Sequence, residues 1–274
     1  MTRILTLLAF AALALIGGCA LQAAPVPITP NQFGIQNVQA TSFPYLICPG
    51  DVNGCGGSFT ENIGTGANQV SNANIWCVDS QLDVTRNESY TASIVSLKTP
   101  AASFDNGNLV RYGNVTTWTN SLGGYGLSST DALTRYRLAS ILLDQYVATP
   151  DQPANNAQNK SIQNAIWELT ENGSNALNLS SVSIATNVPA GYTDWIAYAS
   201  HVLNQGNFNY GGWAVVSGGY DTTNNTLFAP GKGVAVQTFL VQVTPEPSFY
   251  GILLLGLAGL FIAAYRRTAL NRAH

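Results

Sequence analysis

The chain has 274 residues, 46% of them apolar and only 9% charged. Soluble domains ordinarily carry about 25% charged residues; here Asn, Ser, Thr and Gly supply the polar surface, as in extracellular β-rich proteins, and the apolar share excludes wholesale disorder. Residues 25–243 carry 13 acidic and 7 basic side chains, a net charge of −6 with no basic run, which excludes nucleic acid as a partner.

Met1–Ala24 starts with Arg3, continues through the apolar run Ile4–Ile16 and ends in small residues. This is the layout of a secretory signal peptide, with cleavage expected after Ala20 or Ala23. Ile16-Gly17-Gly18-Cys19 also resembles a lipoprotein lipobox. Either way the chain is exported.

Pro25–Ser71 is rich in Gly, Asn and Pro, which predicts loops and edge strands with short β pieces such as Phe43–Ile47. Ile75–Asp79 and Tyr90–Leu97 have the β-branched and aromatic content of strands. From Ser128 a Ser/Thr/Asp cap precedes Leu133, Tyr136, Leu143 and Tyr146 at helical spacing, and Pro150 ends that helix. A second helix is predicted over Ser161–Glu171 and a third over Trp195–Leu203; Trp213–Val216, a turn at Asn224-Asn225 and the alternating Val234–Val243 return to strand. The order predicts an α+β domain, a β-rich sandwich or barrel with a helical insertion, spanning residues 25–243.

Residues 244–274 form a separate segment. Phe249–Tyr265 is uninterrupted and apolar, near the lower limit for a membrane-spanning helix, and Arg266 and Arg267 follow it on the side expected to stay cytoplasmic. Pro245-Glu246-Pro247, an apolar span and an Arg cluster, in that order, resemble the PEP-CTERM sorting signal of Gram-negative bacteria. That resemblance implies an exosortase-type processing protease as partner, transient anchoring in the inner membrane, and final residence at the cell surface or outside the cell, commonly in exopolysaccharide producers.

With Cys19 in the leader, three cysteines remain. Cys48 and Cys55 flank a Gly- and Pro-containing loop and could close a small disulfide; no His or third Cys completes a metal site beside them. Cys77 is left over, either a buried thiol acting as a small hydrophobe or a sulfur consumed in another bond. Gln163 is equally out of place, a polar residue in the apolar stripe of Ile162, Ala165, Ile166 and Leu169.

Trp76-Cys77-Val78-Asp79 and Ile162-Gln163-Asn164-Ala165-Ile166-Trp167-Glu168 together resemble the paired signatures of Cys–Gln thioester domains, found in bacterial surface adhesins. YRLASILLDQY resembles the family helix that precedes the glutamine. The resemblance spans roughly Cys48 to Val243 and implies a thioester-domain-like fold. It also implies an internal thioester between the Cys77 sulfur and the Gln163 acyl carbon, with no cofactor and no metal. Such a bond captures a nucleophile on a surface or matrix partner, a protein amine or a polysaccharide, once rather than by turnover, in adhesion or biofilm association. Gram-positive members usually carry the domain on a stalk of immunoglobulin-like repeats; here it runs into the sorting tail.

The chemistry requires sulfur and carbonyl held at near-attack distance in a dry pocket, expected to be walled by Trp76, Ile166 and Trp167. Asp79 is either a proton relay on the Cys77 face of a strand or a surface carboxylate. Gln163 in the first turn of its helix would have its carbonyl polarised by free backbone N–H groups. Two other functions use the same residues differently. A cysteine hydrolase would pair Cys77 with His201, and a non-covalent matrix or carbohydrate-binding protein would present Trp118, Trp195, Tyr210 and Trp213 for sugar stacking.

Overall fold

The computed structural model describes residues 26–47, 56–79, 84–104, 109–113, 115, 118, 121–127, 131–146, 157–170, 183–227 and 237–243. The leader expected to be a signal peptide, Cys19, the Cys48–Cys55 pair, and the tail with Pro245, Glu246, Pro247, Arg266 and Arg267 lie outside the described residues. Among the described residues no helix is long and apolar enough to cross a membrane.

Six strands close into an antiparallel barrel: β1 (Gly34–Ile47), β2 (Gly56–Ile63), β3 (Val70–Cys77), β4 (Ser89–Ser96), β5 (Trp213–Gly218) and, numbered after a short hairpin, β8 (Thr238–Gln242). The order around the barrel is β1-β2-β3-β8-β5-β4, and β4 pairs back onto β1. The hairpin is β6 (Tyr220–Asp221) and β7 (Thr226–Leu227). Its turn contains the predicted Asn224-Asn225, with Asn225 in the left-handed conformation at φ 52° that Asn tolerates better than most residues.

The Gly- and Asn-rich N-terminal stretch corrects the expectation of loops and edge strands. β1 runs for 14 residues and is paired on both sides, to β2 and β4. Its side chains alternate: Val38 and Ala40 are buried, whereas Ile35, Asn37 and Gln39 face solvent. Polar outward residues hide such a strand from composition. Pro44, which cannot donate to a ladder, falls within a register shift between Ser42 and Tyr45.

The inward face is identified by contacts that skip a strand. Phe59 on β2 meets Phe239 on β8 at 5.5 Å between ring centroids, and Tyr90 on β4 donates to Glu61 on β2 at 2.5 Å. Strands two apart lie nearly 10 Å from one another, so these side chains meet only across a concave interior. Glu61 is therefore an acid enclosed in the barrel, with Oε2 lacking a hydrogen-bond partner. Burial pushes its pKa up to about 8, against the lowering effect of the Tyr90 hydroxyl.

The folded state thus keeps a proton that the unfolded chain releases near pH 4.5. The associated stability is complete below that pH and is lost as pH rises through about 8, by at most ~1.4 kcal/mol per unit. Urea unfolding should show a falling midpoint between pH 5 and 8, flattened in Glu61→Gln; an equal slope in both proteins would refute this.

The helices enter between β4 and β5, as the element order predicts: α1 (Ala101–Phe104), α2 (Ala132–Leu143), α3 (Ala157–Thr170) and α4 (Trp195–Gln205). Asp131 caps α2, its Oδ1 accepting from the Thr134 N–H at 2.7 Å. Arg137 donates to the Leu97 carbonyl after β4, and buried Arg135 donates to the Leu169 carbonyl at the end of α3 while lying over the Trp118 ring. The fold is a β-rich closed barrel with a helical layer, and α3 is locked to it at the end of β3.

Candidate functional site

Cys77 is the last residue of β3 and is fully buried. Alternation puts its side chain on the inward face with Ile75, whereas Trp76 points to the other face and packs on Trp213, 5.4 Å between ring centroids. Trp76 is thus next to the sulfur in sequence but supports the opposite side of the sheet. The thiol donates to the Asp79 carbonyl at 3.3 Å.

Gln163 approaches from α3. That helix begins at Ala157, a turn earlier than predicted, so Gln163 is mid-helix and its carbonyl does not meet the N–H groups of the first turn. Other donors take their place. The Gly57 N–H donates to Gln163 Oε1 at 3.0 Å and the Tyr146 hydroxyl donates to the same oxygen at 2.6 Å. The other end of the carboxamide, Nε2, donates to the Cys77 carbonyl at 3.1 Å. Thr170, two turns on, ties α3 to the same corner through the Val78 carbonyl at 2.5 Å.

A carbonyl oxygen held by one backbone N–H and one phenol, buried, has the arrangement that stabilises a developing oxyanion. Gly57 supplies its N–H from a backbone at φ 106°, a conformation available essentially to glycine. Gly56 is equally constrained: a Cβ there would lie 2.6 Å from Gln163 Cδ and 2.8 Å from Trp167 Cζ2. Gly56→Ala should therefore displace the carboxamide and abolish reaction at Gln163 while the far strands keep their order. Mass spectrometry for the reaction and circular dichroism for the fold check this, and a reactive, folded Gly56→Ala would contradict it.

Trp167 and Ile166 share the Gln163 face of α3 by their i+4 and i+3 spacing, and both are buried. The Trp167 indole acts on the sulfur to favour its charged form, although its N–H makes no hydrogen bond of standard geometry. Burial dominates over it and pushes the Cys77 thiol up to about 12. The sulfur is thus a thiol at neutral pH and must lose its proton during attack. Tyr146 is shifted well above the usual phenol range, first by burial and then by the neighbouring Cys77, which keeps its hydroxyl a donor.

Asp79 is neither a surface carboxylate nor on the Cys77 face of a strand. β3 ends at Cys77, so strand alternation does not carry to residue 79, and the carboxylate accepts from Tyr112 at 3.2 Å. It is buried, not a surface group. Its carbonyl accepts from the thiol, and its charge is among the influences that raise the thiol pKa.

The competing site residues are placed elsewhere. His201 is exposed on α4, its ring against Tyr192 and its Nε2 2.7 Å from Gln205 Nε2, whereas the groups acting on Cys77 are Asp79, Trp167 and Gln237. Trp118, Trp195 and Trp213 are buried and Tyr210 is half-buried under Arg137, so the tryptophans proposed for sugar stacking belong to the core. Gly57, Tyr146 and Gln237 join the site without being among the residues that the sequence singles out. Consecutive glycines at the start of an alternating strand are a signal of close backbone approach; Tyr146 lies just past the end of α2 at helical spacing from Leu143; nothing local distinguishes Gln237. Comparison of the chain with known protein families, with curated proteins and with solved structures finds no match.

Proposed function

We infer that this is an exported surface or matrix protein of the thioester-domain type, in which Cys77 and Gln163 form an internal thioester that covalently captures a nucleophile on a partner. The observation that carries the reading is the Gln163 carbonyl, buried between the Gly57 N–H and the Tyr146 hydroxyl, with its amide nitrogen on the Cys77 backbone. Two donors satisfy any buried carboxamide oxygen; what supports the reading is that these lie beside a buried free thiol.

In closure, the Cys77 sulfur bonds to Gln163 Cδ, the Cδ–Nε2 bond breaks, the thiol proton passes to the departing nitrogen and ammonia leaves. The dry surroundings then protect the thioester from water. A partner amine or hydroxyl later bonds to Cδ and returns the sulfur to a thiol, so each molecule reacts once. The PEP-CTERM-like tail fits delivery through the inner membrane with removal by an exosortase-type protease, and adhesion or exopolysaccharide association is the role such capture serves.

Intact mass of the mature protein tests the reading. It should fall short of the sequence mass by one ammonia, the deficit should vanish in Cys77→Ala, and methylamine should add to the wild type alone. Full mass in fresh wild-type protein would sink it.

A further inference from the structure

We propose that Gln237 is the positioning residue for the sulfur, orienting Cys77 for attack and stabilising negative charge on it whenever the thioester forms or opens. This rests on the Cys77–Gln163 reading above.

Gln237 immediately precedes β8, is 5% exposed, and points its amide into the corner between β3 and Asp79. A primary amide has two N–H donors, and both are engaged there: Nε2 lies 2.7 Å from Cys77 Sγ and 2.8 Å from the Asp79 carbonyl oxygen. The thiol hydrogen is directed at that same carbonyl at 3.3 Å. Sulfur, amide and carbonyl form a closed triangle. Cys77 Sγ accepts from the Gln237 N–H while its S–H bond is turned toward the Asp79 carbonyl.

The electrostatic need is specific to this site. The sulfur is enclosed, the Asp79 carboxylate disfavours a thiolate, and burial does so more strongly. Charge on sulfur in such surroundings requires a donor already in place, because water is not there to supply one. Gln237 makes no covalent change in either direction. In closure the thiol proton leaves with ammonia; in capture the C–S bond breaks and the nucleophile's proton ends on sulfur. The amide N–H stays on sulfur throughout.

The test uses full mature protein and two variants, Gln237→Leu and Gln237→Glu, with intact mass for the thioester and methylamine uptake followed from pH 5 to 9. Rates are expressed relative to wild type at each pH, which removes the ionisation of methylamine itself. Gln237→Leu keeps the size and loses the donor, so the crosslinked fraction or the uptake rate should fall about tenfold to a hundredfold, the worth of a hydrogen bond to a charged group. Gln237→Glu should be similarly impaired at the alkaline end of the range, where its carboxyl is ionised, and recover toward wild type as falling pH protonates the carboxyl and restores a donor. A purely structural role would not produce that recovery.

Wild-type rates in a folded Gln237→Leu would overturn the proposal. If Gln237→Leu does not fold, Gln237→Glu decides: recovery at low pH supports it and a flat ratio overturns it. Wild-type protein with no ammonia deficit would remove the underlying thioester as well, whereas a normal deficit with indifferent Gln237 variants would remove only this assignment.

Discussion

Tyr146→Phe is expected to slow both closure of the thioester and its consumption by methylamine about a hundredfold to a thousandfold. The substitution removes one oxygen and leaves the ring, and the lost hydroxyl donates to the Gln163 carbonyl at 2.6 Å. The size of the effect separates two roles. A neutral hydrogen bond that merely holds the carboxamide contributes about 1 kcal/mol, roughly a fivefold change. A donor aimed at charge that develops only in the tetrahedral intermediate is worth 10²–10³ in rate, by analogy with the loss of one oxyanion donor elsewhere. Gly57 N–H remains on the same oxygen, so residual reaction is expected rather than none. Because the Tyr146 hydroxyl is shifted well above the usual phenol range, the relative rate of the two proteins should stay constant from neutral pH to pH 9. Methylamine uptake by mass spectrometry measures this, and a change of only a few-fold would restrict Tyr146 to holding Gln163 in place.

Breaking the thioester should also destabilise the domain. Cys77 and Gln163 are 86 residues apart, and the proposed bond would join the barrel to the helical layer. On the chain-entropy account used for disulfides, a crosslink closing a loop of that length stabilises by about 4 to 5 kcal/mol. For a domain of this size such a loss lowers the melting temperature by roughly 10 °C or more. Thermal melts of wild-type protein before and after methylamine should show the drop, while Cys77→Ala, which never carries the crosslink, should melt low and ignore methylamine. An unchanged wild-type melting temperature after complete uptake would show that the hydrogen bonds from Gln163, Thr170 and Arg135 hold α3 without it. The physical consequence is a protein at its most rigid before capture and looser afterwards.

The elements that read most clearly from sequence are those whose signals are local. The strand around Tyr90–Leu97, the strand from Trp213, the helix from Trp195 and the cap at Asp131 all follow from neighbouring residues and recur in the fold. β1 reads only in its last part, around Phe43–Ile47, because polar outward residues such as Asn37 and Gln39 disguise the rest and two register shifts break its period. The choice between sandwich and barrel was illegible for a different reason: it depends on β4 pairing back onto β1 and on β8 inserting between β3 and β5, which are contacts between distant segments. Apolar periodicity places the start of α3 four residues late because its first turn, Ala157–Lys160, is polar and carries no apolar period.

The same division runs through the site. The sequence by itself determined the two unusual residues, since a leftover cysteine behind a signal-peptide-like leader and a glutamine in an apolar helical stripe are local anomalies. Only the tertiary structure decided what surrounds them. Gly57, Tyr146 and Gln237 come from a strand start, a helix end and a strand entry far apart in the chain. They act through an N–H, a hydroxyl and an amide whose directions depend on backbone conformation and helix docking. Trp76 and Asp79 show the converse. Adjacency to Cys77 in sequence placed one on the opposite face of β3 and turned the other's carboxylate to Tyr112, because a strand alternates and then ends.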